Sequence, residues 1–199
     1  MKLIIQIVYL PKTLLNELLN RFLFFRKRVE CQSFPRINGR VCIKGHGRLV
    51  LGKKVMFYSS MGSNPIGGDT KLSLDLGSNG ILEIGDNTGI SNAAIIAHKK
   101  VHIGKNVKIG GSVKIYDTDF HSLDPIKRAD TKTDVPTKKE VFIEDNAFIG
   151  AHSIILKGVL IGENAIIGAG SVVTKNVPKN EIWGGNPAKL IKKITNFPS

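Results

Sequence analysis

Cysteine is nearly absent: only Cys31 and Cys42 occur in 199 residues, and neither stands in a paired ligand or redox spacing. This excludes a disulfide framework and a cysteine-built metal centre, and it points to a reduced, cytosolic setting. Aromatic residues are also scarce, at 7% with a single Trp, so large rings cannot fill the interior and Ile, Leu, Val and Ala must. Acidic residues are outnumbered, with 16 Asp and Glu against 29 Lys and Arg, giving a net charge of +13. Residues 1–54 hold twelve of the basic residues against Glu17 and Glu30, which is +10 of that total. Such a surface favours anionic partners. No recognition helix, aromatic platform or nucleic-acid motif accompanies the charge, so nucleic acid is not an expected partner. No shift of composition divides the chain into two cores, and one domain is expected.

A long uncharged apolar run is missing too. The apolar stretch over residues 1–25 is interrupted by Lys2, Lys12, Glu17 and Arg21, is broken by Pro11, and leads to no small-residue cleavage site. Neither a secretion signal nor a membrane span is supported. An amphipathic helix over residues 13–25, followed by Arg26, Lys27 and Arg28, fits better. Its apolar face suits packing on the domain or on another subunit. With the adjoining basic cluster it equally suits a peripheral membrane contact through residues 1–28, which on a cytoplasmic protein would be on the cytoplasmic face.

What is present is glycine, 21 residues of it, and a repeat of six. From residue 143 each unit opens on an aliphatic residue: Ile143, Ile149, Ile155, Ile161, Ile167 and Val173. The fifth residue is small or β-branched: Ala147, Ser153, Val159, Ala165, Ser171 and Val177. Six is a multiple of the strand period of two, so both positions face one side, which must be the core. A helix of 3.6 residues per turn cannot hold a spacing of six on one face for 36 residues. The register recurs upstream at Ile84, Ile90 and Ile96, and after one extra residue at Ile103, Ile109 and Ile115. Looser units occur at Ile37, Ile43, Leu51, Phe57, Leu76 and Leu82, with a loop expected over residues 62–70. Units this short cannot bury a core singly and must stack as a solenoid, three to a triangular coil of 18 residues.

Units of this kind resemble the hexapeptide-repeat, left-handed parallel β-helix family, whose members are mostly acyltransferases that work as trimers with sites between subunits. The resemblance implies an all-β fold: a short N-terminal apolar and basic helical segment over residues 1–36, a left-handed β-helix over 37–182 with an excursion loop at 122–140, and a C-terminal helical tail over 183–199.

The repeat fails where chemistry is expected. Residues 122–140 are too polar for a coil, and long loops in compact domains are more often functional than ornamental. Just before them, if the strand direction persists, Asp117, Asp119 and His121 alternate onto one side, where a carboxylate orients the imidazole for acid/base work. The stretch IYDTDFHSLDP resembles the segment carrying the catalytic base in galactoside, maltose and xenobiotic acetyltransferases, which makes His121 the matching histidine. The implied mechanism is direct transfer from acetyl-CoA to a hydroxyl, with the backbone N–H of Ala151, after Gly150, as oxyanion donor. Phe148 stands where the family often has Trp. The closing stretch, WGGNPAKLIKK, resembles the family's coenzyme-binding tail, so that Gly168, Ala169, Thr174, Lys175, Lys189 and Lys192 would line the coenzyme groove. Ser91 and Asn92 fall near the acceptor position one coil away, although Asn92 equally suits a structural turn. No metal is expected: the zinc site of the related γ-type carbonic anhydrases needs two histidines five apart, and His98 and His102 are four apart.

The resemblance is greatest to acetyltransferases of bacterial surface polysaccharide or lipopolysaccharide biosynthesis. It implies an O-acetyltransferase working as a cytoplasmic homotrimer on a sugar or glycan hydroxyl. An amino-sugar N-acetyltransferase and a non-catalytic β-helix scaffold are the alternatives.

Overall fold

Twenty strands and one long helix make up the computed structural model, which describes residues 11–195. The first ten residues of the expected N-terminal segment and the last four of the expected tail lie outside the described residues. The strands fall into three parallel sheets. Sheet A holds β1 (Glu30–Cys31), β4 (Arg48–Leu51), β7 (Ile81–Ile84), β10 (Lys100–Ile103), β13 (Val141–Ile143) and β16 (Leu160–Ile161). Sheet B holds β2 (Arg36–Gly39), β5 (Met56–Ser59), β8 (Gly89–Ser91), β11 (Lys108–Ile109), β14 (Phe148–Ile149) and β17 (Ile166–Ile167). Sheet C holds β3 (Cys42–Gly45), β6 (Ser73–Leu76), β9 (Ala94–Ala97), β12 (Lys114–Tyr116), β15 (Ile154–Ile155) and β18 (Val172–Val173). From β1 to β18 every strand pairs with the third one along the chain, so three strands make one turn of a triangular prism.

The repeat explains the register. Ile143 pairs with Ile161, Ile149 with Ile167 and Ile155 with Val173, each 18 residues on. All six unit-opening residues from Ile143 to Val173 are fully buried, and the fifth-position residues are buried with them. Two of the latter are polar, and both find a partner: the hydroxyls of Ser153 and Ser171 donate to the carbonyl of Gly168. Between sheets A and B the coils turn on an asparagine from β7 onward, and on Lys54, at φ 55°, one coil earlier. Asn87, Asn106, Asn146, Asn164 and Asn180 all have φ between 57° and 60°, a left-handed conformation that asparagine tolerates well. Their side-chain amides, which both donate and accept, pass hydrogen bonds from coil to coil, as from Asn106 to Asn146 at 3.1 Å and from Asn164 to Asn180 at 2.8 Å.

In one coil the expected register slips. Ile95, not Ile96, is the fully buried residue, and it pairs with Ile115. The turn before it is short because Asn92, at φ 43°, reverses the chain within a single buried corner. The lost residue is recovered in the longer turn through His98 and Lys99 before β10.

Helix α1 (Lys12–Arg26) begins directly after Pro11 and stops at Arg28, whose φ is 51°. It closes the open end of the first coil. Asn20 is buried there; its amide donates to the Gly39 carbonyl and its oxygen accepts from the Val41 N–H. Phe24 enters the core, and the Lys27 ammonium donates to the Gly45 carbonyl at 2.6 Å. Edge groups of the first turn that no earlier coil can satisfy are thereby paired.

The opposite end corrects an expectation. Through residue 195 the tail is not helical: β19 (Glu181–Gly184) adds to β17 as a parallel strand, and β20 (Lys189–Lys193) returns antiparallel to β19. Two glycines and Pro187 between them favour a reversal over a helix. The free edge of β17 supplies backbone partners that a detached helix would leave unmatched.

Replacing Ile95 by Ala is expected to cost about 2–5 kcal/mol in urea unfolding, while Ile96→Ala costs clearly less; equal costs would contradict the slipped register.

Candidate active site

The excursion loop leaves the prism where sheet C turns into sheet A, after β12, and the coil resumes at β13. Its base is a short antiparallel ribbon: Thr118 bridges Lys138, the Asp119 N–H donates to the Thr137 carbonyl, and the Lys139 N–H to the Asp117 carbonyl. A single turn, α2 (Pro125–Arg128), starts inside the loop at Asp124, whose carboxylate accepts from the N–H groups of Ile126 and Lys127. Arg128 ties the turn back to the Ser122 carbonyl at 2.9 Å.

His121 has a carboxylate partner, and it is not one of the expected two. Its Nδ1 lies 2.7 Å from Oδ2 of Asp134, and the other oxygen of Asp134 accepts from the Ser122 N–H at 2.6 Å. The hydrogen bond from His121, followed by that from Ser122, holds the Asp134 carboxyl below the ordinary carboxylate range. An ionised carboxylate can only accept, so Nδ1 carries the proton and Nε2 is left with a free lone pair. The imidazole is two-thirds exposed and Asp134 is largely covered, an arrangement that fixes the ring from behind while leaving Nε2 accessible.

Asp117 and Asp119 do other work, because the chain leaves the strand direction after Tyr116. Asp117 is fully buried and accepts from the N–H groups of His98 and Lys99, closing the corner of the preceding coil. Asp119 pairs with Lys157 of the following coil at 2.8 Å; among the described residues its second oxygen has no partner. Between them and His121, Phe120 adopts φ 65° and packs its ring against Tyr116 and His98. Burial raises the Tyr116 phenol above its ordinary range, so this residue stays neutral. Both aspartates brace the loop from above and below without touching His121.

The expected coenzyme residues divide between the two edges of sheet C. Gly150, Ala151, Gly168 and Ala169 stack at the corner between sheets B and C. A Cβ on Gly150 would come within 2.5 Å of the Ala169 nitrogen, so only glycine permits this stacking. The Ala151 carbonyl accepts from the Gly170 N–H at 2.8 Å. Phe148 stands half exposed on the outer face of sheet B. Thr174 and Lys175 are exposed at the other corner, on the same edge as His121, while Lys189 and Lys192 are exposed along β20. Strand β15 and its flanks separate the two corners by roughly 15 Å, at about 3.3 Å per residue. One protomer therefore does not unite His121 with Ala151 and Ala169.

Ser91 and Asn92 are covered rather than open. Asn92 is almost wholly buried beneath the loop over residues 60–71, where its amide donates to the Asn64 and Gly68 carbonyls. The same loop is held by the Ser112 hydroxyl through the Gly67 carbonyl. His98 lies 3.8 Å from Asp75 and His102 2.9 Å from Glu83.

Asp134 and Lys157 are the residues that sequence reasoning missed. Asp134 is one of several loop acids with no distinguishing spacing, and Lys157 has the look of an ordinary surface lysine until the coils are stacked.

The comparisons agree with this architecture. Residues 140–175 match the family model described as the hexapeptide repeat of succinyl-transferase. A putative acetyltransferase of Dictyostelium discoideum is 42% identical over 62% of this chain and 62% of its own length. The chain spans about three-fifths or less of the length of the curated relatives it matches. A hexapeptide-repeat acetyltransferase of Vibrio cholerae O1 biovar eltor, solved with acetyl coenzyme A, is 25% identical over 88% of this chain and 77% of that one, with a TM-score of 0.57. A maltose O-acetyltransferase of Clostridium difficile 630 is 26% identical, over 84% and 70%, with a TM-score of 0.56. The chain carries hexapeptide repeats and has the left-handed parallel β-helix fold. The Dictyostelium relative is named a putative acetyltransferase, and both of these structural neighbours are named acetyltransferases.

With its pKa lowered in the folded protein, Asp134 contributes stability above the ordinary carboxylate pKa of about 3.9, and this is lost as pH falls through the lowered value. The Ser122 amide proton should accordingly shift in NMR spectra with a midpoint below about 3.9, and the shift should vanish in Asp134→Asn. A midpoint at or above the ordinary value would contradict the lock.

Proposed function

We propose that the protein is an acetyl-CoA-dependent O-acetyltransferase that modifies a sugar hydroxyl by direct transfer, with His121 as general base. The observation that carries this reading is the His121–Asp134 pair at the mouth of the excursion loop, with Nε2 free to accept a proton. His121 Nε2 takes the proton of the acceptor hydroxyl as that oxygen bonds to the thioester carbonyl carbon. Asp134 holds the imidazolium while charge is present on it. When the carbon–sulfur bond breaks, the same proton passes from Nε2 to the leaving sulfur, so that acetylated sugar and free thiol are produced and the histidine is regenerated. A backbone N–H at Ala151 would meet the developing oxyanion.

The reading calls for a homotrimer, because His121 and the Ala151–Ala169 corner lie on opposite edges of sheet C and a neighbouring copy would bring one to the other. The lysines at 175, 189 and 192 are exposed and suit the coenzyme's phosphates. The fit of the acceptor rests on the named sugar O-acetyltransferase among the structural neighbours. Surface polysaccharide or lipopolysaccharide synthesis, on the cytoplasmic side where acetyl-CoA is made, is the setting this implies.

Calorimetry should show acetyl-CoA binding to the wild type and to His121→Ala alike. Turnover with glycan acceptors should fall by about 10²–10⁴ in that variant, and by about tenfold to a hundredfold in Asp134→Ala. Absence of coenzyme binding would sink the enzyme reading, and unchanged turnover in His121→Ala would remove the base.

A further inference from the structure

Helix α1 is apolar on two sides. Its inner side, with Asn20 and Phe24, is committed to the first coil and cannot rotate away without breaking the hydrogen bonds to Gly39 and Val41. Leu14, Leu18, Phe22 and Phe25 lie on the outer side at spacings of four, four and three, which makes one continuous stripe along the helix. All four are exposed, Phe22 by 62% and Phe25 by 83%. At 100° per residue, Arg21 borders the stripe on one side and Arg26 on the other, and the exposed Arg28 follows just past the end of the helix. Glu17 is the one acid within the helix, and it is paired with Arg21. Rings and leucines projecting between arginines, on a helix bolted to a rigid prism, match the chemistry of a lipid surface: acyl chains for the stripe and anionic headgroups for the cations. Among the described residues no helix is long and apolar enough to cross a membrane, so the contact is one of lying on the surface.

We infer that the outer face of α1 docks the protein on an anionic lipid bilayer. The inference stands on α1 alone and goes beyond the proposed activity. It also sets the geometry of any chemistry. Because α1 covers the end of the coil, the prism rises from the bilayer on its first turn, and the excursion loop stands three strand spacings from β3. That is about 15 Å, at about 4.8 Å per spacing.

The test is co-sedimentation of the full chain with vesicles of phosphatidylcholine alone or mixed with phosphatidylglycerol. The wild type should pellet with the mixed vesicles, not with the neutral ones, and salt should release it. Phe22→Ser/Phe25→Ser should weaken binding by about tenfold or more. Arg26→Glu/Arg28→Glu should weaken it by about a hundredfold. Circular dichroism and coenzyme binding should be unchanged in both. A Phe25→Trp protein, which keeps the apolar stripe, should show a blue-shifted emission on mixed vesicles. No binding by the wild type, binding that survives both double variants, or an unshifted Phe25→Trp emission would overturn the proposal. So would dissociation of the oligomer by Phe22→Ser/Phe25→Ser, which would assign the stripe to another copy. Coenzyme binding on the same samples reports on the acetyltransferase reading separately, so the two can fail independently.

Discussion

Parallel hydrogen bonding from one coil to the next is the interaction on which everything else here depends. No turn of the prism can satisfy its own backbone groups; each donates to and accepts from the turns on either side. Turn lengths at the three corners are consequently not free, since an extra residue at one corner displaces every inward side chain after it. The asparagine column and the stacked glycines are the local devices that keep the corners in line. Both ends need special treatment for the same reason, and receive it from unlike elements: a helix over the first coil and a hairpin over the last.

Strain on the repeat is concentrated at the corners that carry loops. The loop over residues 60–71 is held down on Asn92 and Ser112, and the loop that bears His121 is braced through Asp117, which accepts from His98 and Lys99 of the preceding coil, and through Asp119, which pairs with Lys157 of the following one. The histidine is therefore positioned by neighbours on three successive turns, although among the described residues its only direct partner is Asp134. Rigid coils supply the fixed points, and the loop supplies the carboxylate.

Much of the fold was legible because it follows from a short period. Ile143 to Val173 announce their burial by spacing alone, and the polarity of residues 122–140 marks them as an excursion. The slip at Ile95 was not legible, because Ile95 and Ile96 are adjacent and identical, and only the conformation of Asn92 decides which one turns inward. The hairpin tail was missed because a lysine-rich stretch after a proline reads equally as helix or edge strand; the unfilled edge of β17 makes the choice. At the site, His121 stood out as a candidate from its neighbours in sequence, whereas the carboxylate it meets did not. Asp134 is thirteen residues away inside an irregular loop, and no periodicity reports how such a loop folds back. Asp117 and Asp119 were misread because alternation was extended past Tyr116, the end of β12, as far as His121.

The ribbon at the base of the excursion loop has a further consequence. Ile103 pairs with Ile143 and Ile115 with Ile155 across the insertion, in the same parallel register that adjacent coils use where nothing intervenes. Thr118 and Lys138 pinch the stem shut, so the scaffold does not register how many residues lie beyond it. The loop is thus a replaceable cassette on an indifferent frame: its length and side chains are at liberty to diverge under selection for a new acceptor, while the histidine at its entrance is delivered to the same place.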